Sequence, residues 1–236
     1  GTYDEAVAVV VDAGRAAAEA TGTGFGLVVA ANRNRGPDEA VEIARLAAAR
    51  ADGGLEGRPR DEVVGFGLDG DESDAPPADF VAAFRIARAA GLLAVPHAGE
   101  LAGPASIRDA LDLLGAERLM HGVRAVEDPT LVARLKEGRT SLDVCPTSNV
   151  LLSVVRSLAE HPLPLLLDAG VACSVNADDP LLFDTDLLRE YEKCRTELGL
   201  SDDQLAAVAR TSVLSSAAPE TVKNQATAGI DDWLSS

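Results

Sequence analysis

Continuous apolar segments alternate with amphipathic segments along most of this chain, and this alternation constrains the fold more than any other sequence feature. Six apolar segments are short enough to be strands: 25–30, 63–68, 92–96, 118–121, 141–145 and 171–175. Segments with helical spacing of apolar residues lie between and after them: 4–19, 38–51, 78–90, 104–114, 129–136, 163–169, 202–212 and 219–234. This alternation is typical of a parallel sheet covered by helices, either doubly wound or closed as a barrel.

Polar residues follow five consecutive predicted strands at their carboxyl ends. They are Asp69 to Glu72, His97 with Glu100, His121, Thr147 to Asn149, and Asp178 with Asp179. A barrel gathers such ends on one face, whereas an open sheet brings together mainly those beside its switch point. A doubly wound dinucleotide fold also lacks its Gly-x-Gly-x-x-Gly fingerprint here. The sequence therefore favours a barrel, in a single domain over residues 1–236.

Composition and charge disfavour several classes of partner. The chain has 236 residues, 47% of them apolar, which is enough for a large core. Its 21 Lys and Arg against 38 Asp and Glu give a formal charge of -17, which disfavours nucleic acid and anionic membranes. No apolar run approaches the roughly 20 residues of a membrane span, and the first residues do not resemble a signal peptide. We therefore expect a cytoplasmic protein with reduced cysteines.

The residue types at the strand ends suit metal-assisted hydrolysis. A histidine and an aspartate from different strands are suitable zinc ligands, and a nearby glutamate can move protons for an activated water. His97 and Glu100 are separated by Ala98-Gly99, a turn that lets both side chains face one cavity. Asp178 and Asp179 could instead cap a helix after Pro180, but two adjacent acids exceed what one cap requires.

His161 has a simpler interpretation. It lies in Glu160-His-Pro-Leu-Pro, without a partner motif nearby, and we expect a loop or helix-start residue there. Cys145 precedes a proline and has no sequence sign of activation, so we expect a small buried role.

Four motifs carry a resemblance to a known family: His97-Ala-Gly-Glu100, His121-Gly-Val-Arg124, Cys145-Pro-Thr-Ser-Asn149 and Ser174-Val-Asn-Ala-Asp178-Asp179-Pro180. Their order and spacing resemble those of adenosine deaminases, metal-dependent barrel enzymes of the amidohydrolase group. The segments 66–72 and 212–220 extend the resemblance over nearly the whole chain. It implies an α/β fold of the TIM-type (β/α)8 barrel class, of which this chain supplies about strands 3 to 8 plus C-terminal helices.

The resemblance also implies a role for each matching residue. His97 and Asp178 resemble ligands of a single Zn²⁺, and Asp178 also resembles the group that holds the attacking water. Glu100 resembles the acid that protonates purine N1, so it must stay neutral, which burial would favour. His121 resembles the residue that orients this water and helps to deprotonate it.

Two further residues resemble substrate contacts. Asp179 is similar to the group that hydrogen-bonds purine N7, and Gly70 to the glycine whose backbone N–H meets N3. The implied reaction is zinc-dependent hydrolytic deamination of adenosine or deoxyadenosine to inosine or deoxyinosine and ammonia. Two alternatives remain: a deaminase of adenine or another 6-aminopurine derivative, and an inactive homologue with a binding or structural role.

One feature departs from the family pattern. The family's first strand carries a His-x-His pair that supplies two more metal ligands, whereas the three histidines here are His97, His121 and His161. The match begins after the second strand of the family barrel, so the barrel is expected to be incomplete at its N-terminus. These residues alone are therefore expected to bind zinc poorly and to lack deaminase activity.

Overall fold

A computed structural model describes residues 1–51, 62–138 and 140–236. After the predicted helix 38–51 we expect a loop around Gly53 and Gly54, and this loop lies outside the described residues. The chain forms two compact units: residues 1–97 with 109–117, and residues 98–108 with 118–236. All six predicted strands are present, each within a few residues of its predicted bounds. The single domain over 1–236 stays a prediction.

The first unit contains a parallel sheet whose strands are adjacent in chain order. The strand Leu27–Asn32 pairs in parallel with Val63–Asp69, and their last paired residues are Asn32 and Asp69. The strand Val63–Asp69 also pairs in parallel with Leu93–Ala98, and there the last paired residues are Leu68 and Pro96. Short 3₁₀ helices cover 33–35 and 77–80. The longer elements are α1 (Tyr3–Thr21), β1 (Leu27–Asn32), α2 (Pro37–Ala51), β2 (Val63–Asp69), α3 (Val81–Ala89) and β3 (Leu93–Ala98).

Local sequence explains why these elements form. Thr2 and Glu5 make a reciprocal capping box at the start of α1, and Gly22 ends that helix with a φ of 70°. In the core of this unit, the rings of Phe66 and Phe84 meet edge to face with centroids 5.0 Å apart, and both side chains are buried. The apolar strand and the apolar helix face therefore bury each other, as the pattern predicts.

The second unit contains the other parallel strands. In register, β4 runs beside β5, and β5 beside β6. The helix predicted over 104–114 is α-helical over Pro104–Asp109 and π-helical over 110–114, and residues 109–114 belong to the first unit. The elements are α4 (Pro104–Asp109), β4 (Arg118–His121), α5 (Pro129–Glu137), β5 (Ser141–Val144), α6 (Pro146–Leu151), α7 (Leu163–Asp168), β6 (Cys173–Val175), α8 (Pro180–Phe183), α9 (Leu187–Thr196), α10 (Asp202–Leu214) and α11 (Glu220–Leu234).

A buried carboxylate ties the three strands of the second unit together. Asp143 on β5 is 1% exposed; one of its oxygens lies 2.9 Å from Nε of Arg118 on β4, and the other accepts a hydrogen bond from Ser174 on β6 at 2.6 Å. Charge-assisted bonds of this kind are stronger than neutral ones.

Among the described residues, no helix has both the length and the apolar composition needed to cross a membrane.

Candidate active site

The polar residues predicted to be functional in the second unit do follow its strands. β4 ends with His121, Cys145 follows β5, and Asp178 follows β6 after two residues. His121 and Asp178 have positive φ angles of 63° and 59°, which are uncommon for residues other than glycine. Backbone strain of this kind clusters at functional sites. Ser153 and Asp184 also have positive φ angles, so the backbone supports His121 and Asp178 as site candidates only together with the positions of their side chains.

His121 lies between two carboxylates. Its Nε2 atom is 3.5 Å from Oε1 of Glu100 and 3.8 Å from Oδ2 of Asp178. The side chains of His121 and Glu100 are 1% and 8% exposed, whereas that of Asp178 is 25% exposed. The cluster is thus buried on one side and open on the other. Such an arrangement can exchange protons with a small molecule that enters from the open side.

Gly99 allows the loop that carries Glu100 to approach β4. A Cβ atom at Gly99 would lie 2.3 Å from Cδ1 of Ile107 and 3.3 Å from Cα of Gly122, and Gly99 has a φ of 78°. The backbone N–H of Arg124 donates to the Gly99 carbonyl at 3.0 Å. The predicted turn therefore holds Glu100 beside His121, and it requires glycine for both space and conformation.

Cys145 contributes a neutral thiol to the cluster. Its sulfur, a ring nitrogen of His121 and a carboxylate oxygen of Asp178 all lie within 4.8 Å of one another. Burial raises the pKa of the Cys145 thiol, and nearby carboxylates, first Asp178 and then Asp143, raise it further. A nucleophilic role is therefore disfavoured, in line with the small buried role expected from the sequence.

A chain of buried side chains lies behind His121. Its Nδ1 is 3.1 Å from Nδ2 of Asn149, and Oδ1 of Asn149 is 3.1 Å from Nε2 of His161. Nδ1 of His161 accepts a hydrogen bond from the backbone N–H of Leu163 at 3.1 Å. His161 lies directly before a helix, as expected, and it also has buried hydrogen-bond partners that no motif near it indicates. The sequence gives no local signal, because α6 brings Asn149 between the two histidines.

His97 and Gly70 lie in the first unit. His97 is the penultimate residue of β3, and its Nδ1 is 3.0 Å from Oδ1 of Asp69. Gly70 follows β2 with a φ of 97°. A Cβ atom there would lie 2.4 Å from Oδ1 of Asn34 and 2.9 Å from Oδ1 of Asn32. The left-handed backbone therefore favours glycine at position 70, and a Cβ there would force the side chains of Asn34 and Asn32 to move.

Arg33 is a buried residue that sequence reasoning missed. It is 1% exposed, and its guanidinium donates to the carbonyls of Ala75 at 2.7 Å and His97 at 2.5 Å. Burial lowers the pKa of Arg33, and nearby carboxylates, first Glu72 and then Asp69, oppose that shift. Arg33 therefore holds the backbone carbonyl of His97 in place by a hydrogen bond. Its position directly after β1, where other strands carry site residues, was a usable signal.

Asp179 has a structural task in the second unit. Its Oδ1 accepts a hydrogen bond from the backbone N–H of Leu182 at 3.2 Å, which caps α8. The cap that the sequence allowed at this position therefore forms at Asp179, whereas Asp178 faces His121.

These features define the class of protein. Parallel strands alternate with helices in both units, and polar side chains follow the strands, so the chain has the α/β fold of the (β/α) barrel class. The family model described as adenosine deaminase matches residues 2–233. The chain belongs to the adenosine deaminase family, which confirms the resemblance drawn from its motifs.

Individual relatives agree with this assignment. The chain is 48% identical over 229 residues to a protein of Streptomyces coelicolor named "Putative adenosine/adenine deaminase", covering 97% of this chain and 64% of the relative. It is 40% identical over 230 residues to an "Adenine deaminase" of Agrobacterium fabrum, covering 97% and 68%. The chain thus spans about two thirds of the length of these relatives.

Two solved structures match the fold and confirm the predicted class. An adenine deaminase from Arthrobacter aurescens has a TM-score of 0.88 and 33% identity, with 96% of this chain and 67% of that chain covered. An amidohydrolase from Burkholderia ambifaria, solved with bound Zn, has a TM-score of 0.89 and 30% identity, with coverages of 100% and 64%.

Proposed function

We propose that this chain carries the proton-transfer groups of a hydrolytic 6-aminopurine deaminase, with Glu100, His121 and Asp178 as its catalytic residues. The observation that supports this most is the buried imidazole of His121, whose Nε2 lies 3.5 Å from Glu100 and 3.8 Å from Asp178. Hydrolytic deamination needs a group that gives a proton to the purine ring and groups that hold the attacking water. These three side chains meet both needs.

Each catalytic residue has a distinct role in the proposal. Glu100, whose side chain is 8% exposed, is proposed to donate a proton to purine N1, which makes C6 more electrophilic. His121 and Asp178 orient the water whose oxygen bonds to C6, and Asp178 accepts one of its protons. The C6–N bond then breaks, the amino group takes that proton and leaves as ammonia, and the second water proton returns to Glu100, so that a 6-oxopurine remains. Asp179 and Gly70 are proposed to contact N7 and N3 of the purine.

The donor chemistry of these residues fits zinc. Asp178 offers a partly exposed carboxylate, and His97 offers a partly exposed imidazole. Carboxylate oxygen and imidazole nitrogen are both ligand types that zinc takes. We propose Asp178 and His97 as protein ligands of one Zn²⁺. When bound, zinc would lower the pKa of water towards neutrality. Because the family's His-x-His pair is absent from this sequence, weak zinc binding is expected of the chain alone.

Adenosine, deoxyadenosine and adenine are all candidate substrates. The motif resemblance implies adenosine or deoxyadenosine, whereas the relatives from Agrobacterium fabrum and Arthrobacter aurescens carry the name adenine deaminase. All three molecules present the same 6-aminopurine edge to Glu100 and His121. The choice between them depends on contacts with the ribose, so it needs a direct substrate comparison.

The test is a product assay on the full-length gene product that carries this chain, with zinc supplied. We expect ammonia and the matching 6-oxopurine in equal amounts from at least one of the three substrates. Glu100→Gln should lower kcat by about 10²- to 10⁴-fold, the usual contribution of a general acid. Glu220→Gln is a matched control, because Glu220 is 79% exposed on α11 and pairs with Lys223. Unchanged turnover in Glu100→Gln would refute the proposal.

A further inference from the structure

We propose that His161 is a positioning residue for His121: acting through the side-chain amide of Asn149, it fixes which ring nitrogen of His121 carries the proton. All three residues are buried: His161 is 4% exposed, His121 1% and Asn149 0%. Their hydrogen bonds run in one continuous chain from the backbone of α7 to the proposed catalytic cluster. The tautomer follows from the donor and acceptor types along this chain.

The series of hydrogen bonds begins at a group that can only donate, the backbone N–H of Leu163. The backbone N–H of Leu163 points at Nδ1 of His161 at 3.1 Å, so that ring nitrogen must accept. A neutral histidine whose Nδ1 accepts carries its proton on Nε2. Protonation of both nitrogens would set Nδ1–H against the Leu163 N–H. Burial, which lowers the pKa of His161 to about 4, keeps the ring neutral near pH 7, although Glu190 opposes this shift.

The orientation of the Asn149 amide follows from His161. Because Nε2 of His161 donates, the atom of Asn149 that faces it at 3.1 Å must be the carbonyl oxygen Oδ1. The amide nitrogen Nδ2 then faces Nδ1 of His121, also at 3.1 Å. An amide nitrogen donates and does not accept, so Nδ1 of His121 accepts. Neutral His121 therefore carries its proton on Nε2.

This tautomer determines what His121 offers to the cluster. Its Nε2–H faces two oxygen atoms, Oε1 of Glu100 and Oδ2 of Asp178. His121 thus presents a hydrogen-bond donor, whereas the opposite amide orientation would present a lone pair. The consequence for water orientation rests on the proposed function. The tautomer itself does not, since it depends on hydrogen bonds that need neither substrate nor metal.

Nitrogen NMR of the histidine rings tests the inference without an activity assay. The protein has three histidines, so long-range proton–nitrogen spectra of the ¹⁵N-labelled, chelator-treated chain can be assigned with one histidine substitution at a time. Near pH 7.5 we expect both His121 and His161 to show a pyridine-like Nδ1 and a pyrrole-like Nε2. A pyrrole-like Nδ1 on His121 in the unsubstituted protein would overturn the proposal, whatever the variants do.

Substitutions of Asn149 and His161 test whether these two residues determine the tautomer of His121. In Asn149→Asp a carboxylate replaces the donor that faces His121, so the pyrrole-like signal of His121 should move to Nδ1. In His161→Leu the amide of Asn149 is free to turn, and we expect a mixture of His121 tautomers. In His161→Gln the new side chain can still donate to Oδ1 of Asn149, and we expect the Nε2–H form of His121 again. An unchanged His121 tautomer in a folded Asn149→Asp protein would overturn the proposal.

Ser148→Ala is the matched control. Ser148 precedes Asn149 and is equally buried, and among the described residues its hydroxyl has no hydrogen-bond partner. Removing that hydroxyl disturbs the same helix but leaves the hydrogen bonds between His161, Asn149 and His121 in place. The Nε2–H signal of His121 should therefore persist. A tautomer change in Ser148→Ala as large as that in Asn149→Asp would show that general disturbance of α6, and not the chain, controls His121.

Discussion

Acid should destabilise this protein through His161, because burial lowers the pKa of this side chain. Burial lowers the pKa of His161 from its ordinary value of 6.5 to about 4 in the folded protein. The unfolded chain therefore binds a proton at a higher pH than the folded one, and stability falls as the pH drops below 6.5. The difference of about 2.5 pKa units corresponds to about 3 kcal/mol once the pH is below 4, and to about 2 kcal/mol at pH 5.

Urea unfolding at pH 7.5, 6 and 5 measures this effect when the protein is compared with His161→Gln. Other titrating groups contribute similarly to both proteins, so the difference between their pH dependences isolates His161. From pH 7.5 to 5 the unsubstituted protein should lose about 2 kcal/mol more unfolding free energy than the variant. Equal losses in the two proteins would refute the buried, neutral state of His161.

Three further predictions concern stability and reactivity. Asp143→Ala should lower the free energy of unfolding by about 3 kcal/mol or more in urea titrations, because it leaves the Arg118 charge without its buried carboxylate; a loss below about 1 kcal/mol would contradict this reading. Gly70→Ala should lower the free energy of unfolding by about 1–3 kcal/mol, because an added Cβ meets a side-chain oxygen at 2.4 Å with a φ of 97°. The matched Gly229→Ala, where a Cβ meets nothing within 4 Å, should leave it unchanged or raise it by up to about 1 kcal/mol, and equal losses in both would argue against strain at Gly70. Since burial raises the pKa of Cys173 to about 12, a thiol reagent at pH 8 should label no cysteine quickly until denaturant is added, and fast labelling of the native protein would contradict the buried thiols.

The strands could be predicted because buried parallel strands are apolar throughout. The helices α6, α8 and α9 were not predicted, and α9 shows one physical reason. α9 buries Glu190, which is 0% exposed and accepts hydrogen bonds from the backbone N–H of Thr147 at 3.0 Å and from the Thr185 hydroxyl at 2.6 Å. A charged residue at a buried position weakens the apolar periodicity on which helix prediction depends. Only the folded chain shows which groups satisfy that charge.

The candidate site was predictable to the extent that its residues follow strands. His121, Glu100 and Asp178 were identified from their places in the alternation, and in the structure both carboxylates lie within 4 Å of Nε2 of His121. Asn149 and His161 are hydrogen-bonded although they are 12 residues apart, and no sequence spacing marks them as partners. Sequence patterns locate the ends of strands, whereas side-chain networks depend on how the following helices pack.

The oxygen of the product tests the central claim, hydrolytic deamination by this site, most directly. The full-length gene product, with zinc, is incubated with adenine, adenosine and deoxyadenosine in water enriched in heavy oxygen, and the purine product is analysed by mass spectrometry. We predict a 6-oxopurine that carries the heavy oxygen, formed together with one ammonia per purine and much more slowly by Glu100→Gln. A product without the label, or purine turnover that releases no ammonia, would contradict the account.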